Sequence, residues 1–175
     1  AIRYVRRLQA DGGTEMYPAL KFSLMNFRSN KSALKQLIFL TDGAVTQESR
    51  LFSLINRELK TARLFTIGIG SAPNSFFMTR AAEIGRGSHI HIGDMDEISN
   101  RMSELFSKIE NPAVTDLKLI LPKGFRAEVY PNPLPDLYVG DPLSIAIRGR
   151  NASGIAKITG KIGSQKWVAR IPLDQ

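Results

Sequence analysis

The chain contains no cysteine, which excludes disulfide frameworks, thiolate metal sites and thiol nucleophiles together and leaves the redox compartment open. It also has no apolar run near the roughly 18 residues needed to cross a bilayer, because charges interrupt its helical patterns every turn or so. No membrane span is expected within these residues. The sequence starts Ala1-Ile2-Arg3-Tyr4, with neither a methionine nor a charged-then-apolar leader, so any targeting segment is expected to be absent or to lie upstream. Internal repeats and low-complexity segments are missing too. What is present is an ordinary globular balance, 43% hydrophobic and 23% charged over 175 residues, enough for one or two small domains.

A net charge of +8 raises nucleic acid as a partner, and its distribution speaks against that reading. Residues 1–110 hold 15 Lys and Arg against 11 Asp and Glu, and residues 111–175 hold 9 against 5, so each part carries +4. No groove-reading motif accompanies the charge. No nucleic-acid partner is expected.

Along residues 1–110 helical and strand signals alternate. Ile2, Val5 and Leu8 fit the last turns of a helix stopped at Asp11-Gly12-Gly13, with Thr14-Glu15 opening the next. That second helix carries Leu20, Leu24 and Phe27 as its apolar stripe and tolerates Pro18 in its first turn, where the backbone donor has no partner anyway. Leu37-Ile38-Phe39-Leu40 reads as a strand buried on both faces, ending at Thr41-Asp42-Gly43. Leu51, Phe52, Ile55 and Leu59 then recur at helical spacing, and Leu64 to Gly70 makes a second strand. Strand, helix, strand is a βαβ unit, so the two strands are expected to be parallel. A helix through Phe76, Phe77, Ala81 and Ile84 leads to a short strand over Ser88 to Ile92, and a final helix carries Ile98, Met102, Leu105, Phe106 and Ile109.

After Pro112 the character changes. Six of the nine prolines fall in residues 122–172, and the apolar period shifts toward two. Strands are expected over 117–121, 126–130, 143–148, 156–162 and 166–171, with Gly163-Ser164-Gln165 as a hairpin connection and Trp167 in the core.

In open parallel sheets ligands gather outside the carboxyl ends of the strands, which makes Asp42 the leading candidate and brings Thr14 in if its helix packs beside that strand. A hydroxyl and a carboxylate on adjacent loops suit a hard cation such as magnesium, although an N-cap threonine and a turn aspartate account for the same residues. Other candidates are weaker. His89 and His91 share a strand face but lack a third ligand. Asp94, Asp96 and Glu97 read as caps of the final helix. Gly68-Ile69-Gly70 begins a dinucleotide fingerprint, but Pro73 stands where the third glycine belongs. The sequons at Asn30 and Asn151 are common by chance.

The ordered set Gly12-Gly13-Thr14-Glu15, Leu37 to Gly43, Phe65 to Gly70 and Ala82-Glu83-Ile84-Gly85-Arg86-Gly87 resembles the second half of a von Willebrand factor A domain. With its β-rich tail it is most similar to the inter-alpha-trypsin inhibitor heavy chain subgroup and its bacterial secreted relatives. The resemblance implies a truncated, doubly wound parallel sheet over residues 1–111, lacking its first strands, followed by a small antiparallel β-sandwich over 112–175. It implies a metal-ion-dependent adhesion site, to which Thr14 and Asp42 match, while the family's Asp-x-Ser-x-Ser loop has no counterpart here. The expected cofactor is therefore magnesium or manganese held by the parent protein, weakly or not at all by this chain.

The function implied is non-enzymatic adhesion by part of a larger secreted or surface protein, with a partner that offers an acidic side chain. Strand 37–40, without its neighbour on one side, is expected to pair across a homodimer. The alternative is a nucleotide- or phosphate-binding α/β enzyme using the same sheet edge.

Overall fold

The structure, a computed structural model, describes residues 2–7, 9, 13, 15–26, 34–71, 73–138, 142–150 and 153–173. Helix and strand alternate through the first part as α1 (Ile2–Val5), α2 (Met16–Asn26), β1 (Gln36–Thr41), α3 (Glu48–Glu58), β2 (Arg63–Ile69), α4 (Ser75–Ile84), β3 (Arg86–Ile92) and α5 (Ile98–Glu110). The expected first helix is cut to α1, whose Ile2 and Tyr4 stand exposed; Leu8 and both sequon asparagines lie outside the described residues. In α2, Met16, Leu20 and Leu24 recur every four residues and are buried, and Pro18 sits in the first turn, where its missing N–H costs nothing. Phe27 also lies outside the described residues.

The three strands form a parallel sheet in the order β1-β2-β3. Central β2 is buried along nearly its whole length, whereas β1 is half-buried, with Leu40 52% exposed. The expectation that Leu37 to Leu40 is buried on both faces is corrected here. Among the described residues β1 has a strand neighbour on one side only, so its outer flank meets solvent.

Side-chain alternation along the strands splits the core between the two faces. Leu64 packs with Leu20, Leu24, Leu51, Leu54, Ile55, Phe77 and Met78 under α2, α3 and α4. Phe65 and Ile67 pack with Ile92, Leu105 and Ile109 under α5. Helices therefore cover both faces. The approach of β3 to β2 depends on Gly87, where a Cβ would lie 2.2 Å from the Leu64 carbonyl oxygen.

The second part is antiparallel: β4 (Pro112–Ile120), β5 (Ala127–Tyr130), β6 (Leu137–Tyr138), β7 (Ala146–Gly149), β8 (Gly154–Ile162) and β9 (Gln165–Leu173). They form two sheets, β6-β4-β8-β9 and β5-β7, which share a cluster of Val114, Leu117, Leu134 and Ile158 with Val129, Ile145 and Trp167. Five strands are expected from the sequence and six are present among the described residues, because two-residue β6 is too short to show a period. The β8–β9 turn is shorter than expected. Ile162 pairs with Gln165, leaving Gly163 and Ser164 as its two loop residues, with Gly163 at φ +57° as a primed hairpin turn requires. Trp167 is half-buried against the shared cluster rather than enclosed by it.

The two parts meet at a buried charge. Arg63, at the start of β2, is 1% exposed and donates to both carboxylate oxygens of Asp136, at 2.6 and 3.0 Å, to Asp116 Oδ1 at 3.1 Å and to the Thr61 carbonyl at 2.7 Å. Tyr138, on β6, inserts beside Phe65 in the core under α5.

Candidate functional site

The carboxyl edge of the parallel sheet carries the candidate site. Strand β1 ends where the Thr41 hydroxyl, itself buried, accepts the Gly43 N–H at 3.2 Å. That bond closes the chain into a tight turn with Asp42 at its tip. Asp42 is exposed, and its carboxylate has no hydrogen-bond or ion-pair partner among the described residues. The neighbouring loops are tied together: Asn74 donates its amide to Glu48 at the start of α3, while its Oδ1 accepts the Phe77 N–H at 2.9 Å and caps α4. The edge is a hydrogen-bonded frame with a carboxylate unpartnered among the described residues at one corner.

Thr14 lies outside the described residues. Among the described residues no group of three or more His, Asp or Glu side chains is gathered around a common point. A hard divalent cation takes about six oxygens in near-octahedral array, so Asp42 by itself does not make a site, and the described residues do not fit a resident metal unaided.

The secondary candidates are absorbed locally. His89 is half-buried, with Nδ1 3.1 Å from the Thr66 hydroxyl and 3.3 Å from its carbonyl oxygen. Burial pulls its pKa below the ordinary histidine value, outweighing the bond to the Thr66 backbone, and nearby His91 adds to the fall. His91 is exposed. Asp94 accepts the Met95 N–H at 3.0 Å and caps a 3-10 turn over Met95–Glu97; α5 begins only after it, without a side-chain cap. The expected cap of the final helix is corrected to a cap of this turn. In the Gly68-Ile69-Gly70 segment, Pro73 fills the space before Gly68, where a Cβ would come within 2.8 Å of it.

Sequence reasoning missed the Arg63 junction. Its partners lie 53 and 73 positions away, so no local pattern announces it; the one visible signal is an arginine opening an otherwise apolar strand. Burial alone would lower the Arg63 pKa, and the Asp136 and Asp116 carboxylates reverse that and raise it.

Residues 1–90 match the family model of the von Willebrand factor type A domain. A von Willebrand factor A domain-containing protein of Dictyostelium discoideum is 27% identical over 143 residues, covering 81% of this chain and 17% of that protein. Inter-alpha-trypsin inhibitor heavy chain H2 of Mus musculus is 23% identical over 158 residues, covering 83% of this chain and 17% of its own length. In fold, the chain is similar to a von Willebrand factor type A protein from Catenulispora acidiphila, with a TM-score of 0.68 at 22% identity, over 98% of this chain and 49% of that one. The chain thus spans about a sixth of the length of these curated relatives.

Proposed function

The chain belongs to the von Willebrand factor type A domain family, and from that premise we propose that it is a non-enzymatic adhesion module engaging an acidic side chain of a protein partner through a divalent cation, magnesium or manganese. Family members are in general protein-interaction modules. In this reading Asp42 and Thr14 contribute to the cation's oxygen shell, directly or through water, and the other ligands come from residues outside this chain or from a second copy of it. The division into an A-type unit over 1–111 and a β unit over 112–175, and a secreted or surface-attached parent protein, belong to the same proposal.

One observation carries it: a carboxylate free of protein partners stands at the tip of the turn ending β1, the edge where ligands of open parallel sheets gather. The competing phosphate-ligand enzyme needs an anion-cradling turn after β2. There Pro73 blocks the approach to Gly68 and the Asn74 side chain takes the Phe77 N–H at the α4 terminus, which supports binding over catalysis.

Calorimetric titration of the chain with magnesium and with manganese, beside Asp42→Ala, tests the reading. Weak heat abolished by Asp42→Ala is the expected result. Binding that survives the substitution removes Asp42 from the site, and micromolar binding lost with it shows that the chain or its dimer completes the shell unaided.

A further inference from the structure

The outer face of the sheet β6-β4-β8-β9 is unusually cationic. Along β8 and β9 the register sets Lys157 directly opposite Arg170 and Lys161 directly opposite Lys166, and Lys118 on β4 pairs with Thr159 between them. All five cations are exposed. Lys161 reaches one carboxylate, Asp116, at 3.4 Å; Lys118, Lys157, Lys166 and Arg170 have no acidic partner among the described residues. Like charges directly opposite on a sheet destabilise it, whereas opposite charges there stabilise it. Two such pairs side by side leave a surface that awaits anions.

Lysines on edge strands are a common guard against unwanted pairing, but that purpose needs charge on β9 alone. Lys157 and Lys161 sit on β8, which lies between β4 and β9. The same face bears a concavity of about 540 Å³ bordered by Arg86, Asp116, Lys118, Lys161, Lys166 and Val168, four cations to one acid, and Val168 is 52% exposed between Lys166 and Arg170. Strand β9, nine residues long, ends the order of its sheet. Among the described residues its outer backbone donors and acceptors have no strand partner, which leaves them open to an added strand.

We propose that β9 receives an extended segment of a partner protein as a fifth strand, and that this segment reads acidic–x–aliphatic–x–acidic. Successive outward side chains of an added strand stand opposite Lys166, Val168 and Arg170, so its acids neutralise the two like-charged pairs and its aliphatic residue covers Val168. The intervening residues fall beside half-buried Trp167 and Ala169 on the inner face. Two features favour a peptide over other polyanions. An unpaired strand edge is complementary to a polypeptide backbone, and the aliphatic position interrupts the charges. The site needs no cation and is independent of the Asp42 edge.

Trp167 is the only tryptophan and reports on the event. The full chain, in chelator, is titrated with a nine-residue peptide centred on Glu-Thr-Val-Thr-Glu. A saturable change in Trp167 fluorescence is expected, weakened at least tenfold by N-methylation of the peptide's strand-pairing amides. The Lys166→Glu/Arg170→Glu chain should lose at least tenfold for this peptide and gain it for the Lys-Thr-Val-Thr-Lys counterpart, which also shows that the variant is folded. No saturation, equal binding of the N-methylated peptide or of a scrambled peptide of the same charge, or tighter binding of oligouridylate or phosphatidylserine vesicles would each overturn the proposal.

Discussion

Arg63 and Asp136 form a pair whose side chains are 1% and 0% exposed, and a pair of that kind is worth most when one considers losing half of it. Removing one partner of a buried ion pair typically costs about 3–5 kcal/mol, because an uncompensated charge stays inside. Asp136→Ala should therefore destabilise the chain by about that amount in urea denaturation, while Arg63→Met combined with Asp136→Leu should cost much less. Equal losses in the two variants would remove the pair from its role at the junction. Asp116 shares Arg63 but faces solvent. Burial would raise its pKa, and hydrogen bonds from Arg63 and Lys161 outweigh this and hold it below the ordinary 3.8. An acid with a depressed native pKa adds stability above its unfolded pKa and loses it as pH falls through the native value. Asp116→Asn should accordingly flatten the loss of thermal stability on acidification below pH 3.8; an unchanged acid limb would contradict this.

At the scale of elements, the contact between β2 and β3 hangs on a missing side chain. At Gly87 a Cβ would meet the Leu64 carbonyl oxygen at 2.2 Å, and backbone cannot swing aside as a flexible side chain can. Gly87→Ala should cost about 1–3 kcal/mol through forced backbone shifts, read as a lower denaturation midpoint with the slope unchanged. Most of these elements were legible from period and punctuation alone. Leu51, Ile55 and Leu59 marked α3, and the apolar run from Leu64 marked β2 as a strand parallel to β1. Strand β6 was not legible: two residues carry no period, and they form a strand only because β4 lies beside them. The same holds for β4 itself, which starts at Pro112 rather than at residue 117, since its first residues are held by pairing with β6.

The molecule as a whole leaves β1 with one strand partner among the described residues and Leu40 52% exposed. A flat apolar edge is a template for a further strand. If the chain self-associates there, as proposed from its sequence, sedimentation at micromolar concentration should show a dimer that Leu40→Lys shifts to monomer, since a lysine on the edge opposes pairing. A monomer before substitution would refute association through β1. The junction at Arg63 bears on the same scale. Because a buried ion pair and Tyr138 bind the β strands to the parallel sheet, the Asp42 edge and the β9 edge belong to one connected framework.

Local chemistry along the chain determined the alternation of helices and strands, the parallel βαβ unit, the switch to antiparallel structure after Pro112 and the placing of Asp42 on the turn after β1. The elements depend on spacing within about a dozen residues, where backbone geometry converts period into element, and the parallel unit depends on their order along the chain. Only the tertiary structure decided that β2 is the buried strand and β1 the edge, that Arg63 finds Asp136 and Asp116, and that Lys118 joins the four cations of the β8–β9 hairpin on one face. Those outcomes depend on strand order and register, which bring together groups far apart in the chain. Arg63 meets Asp136 from 73 positions away, and Lys118 comes beside the β8–β9 hairpin only through the pairing of β4 with β8.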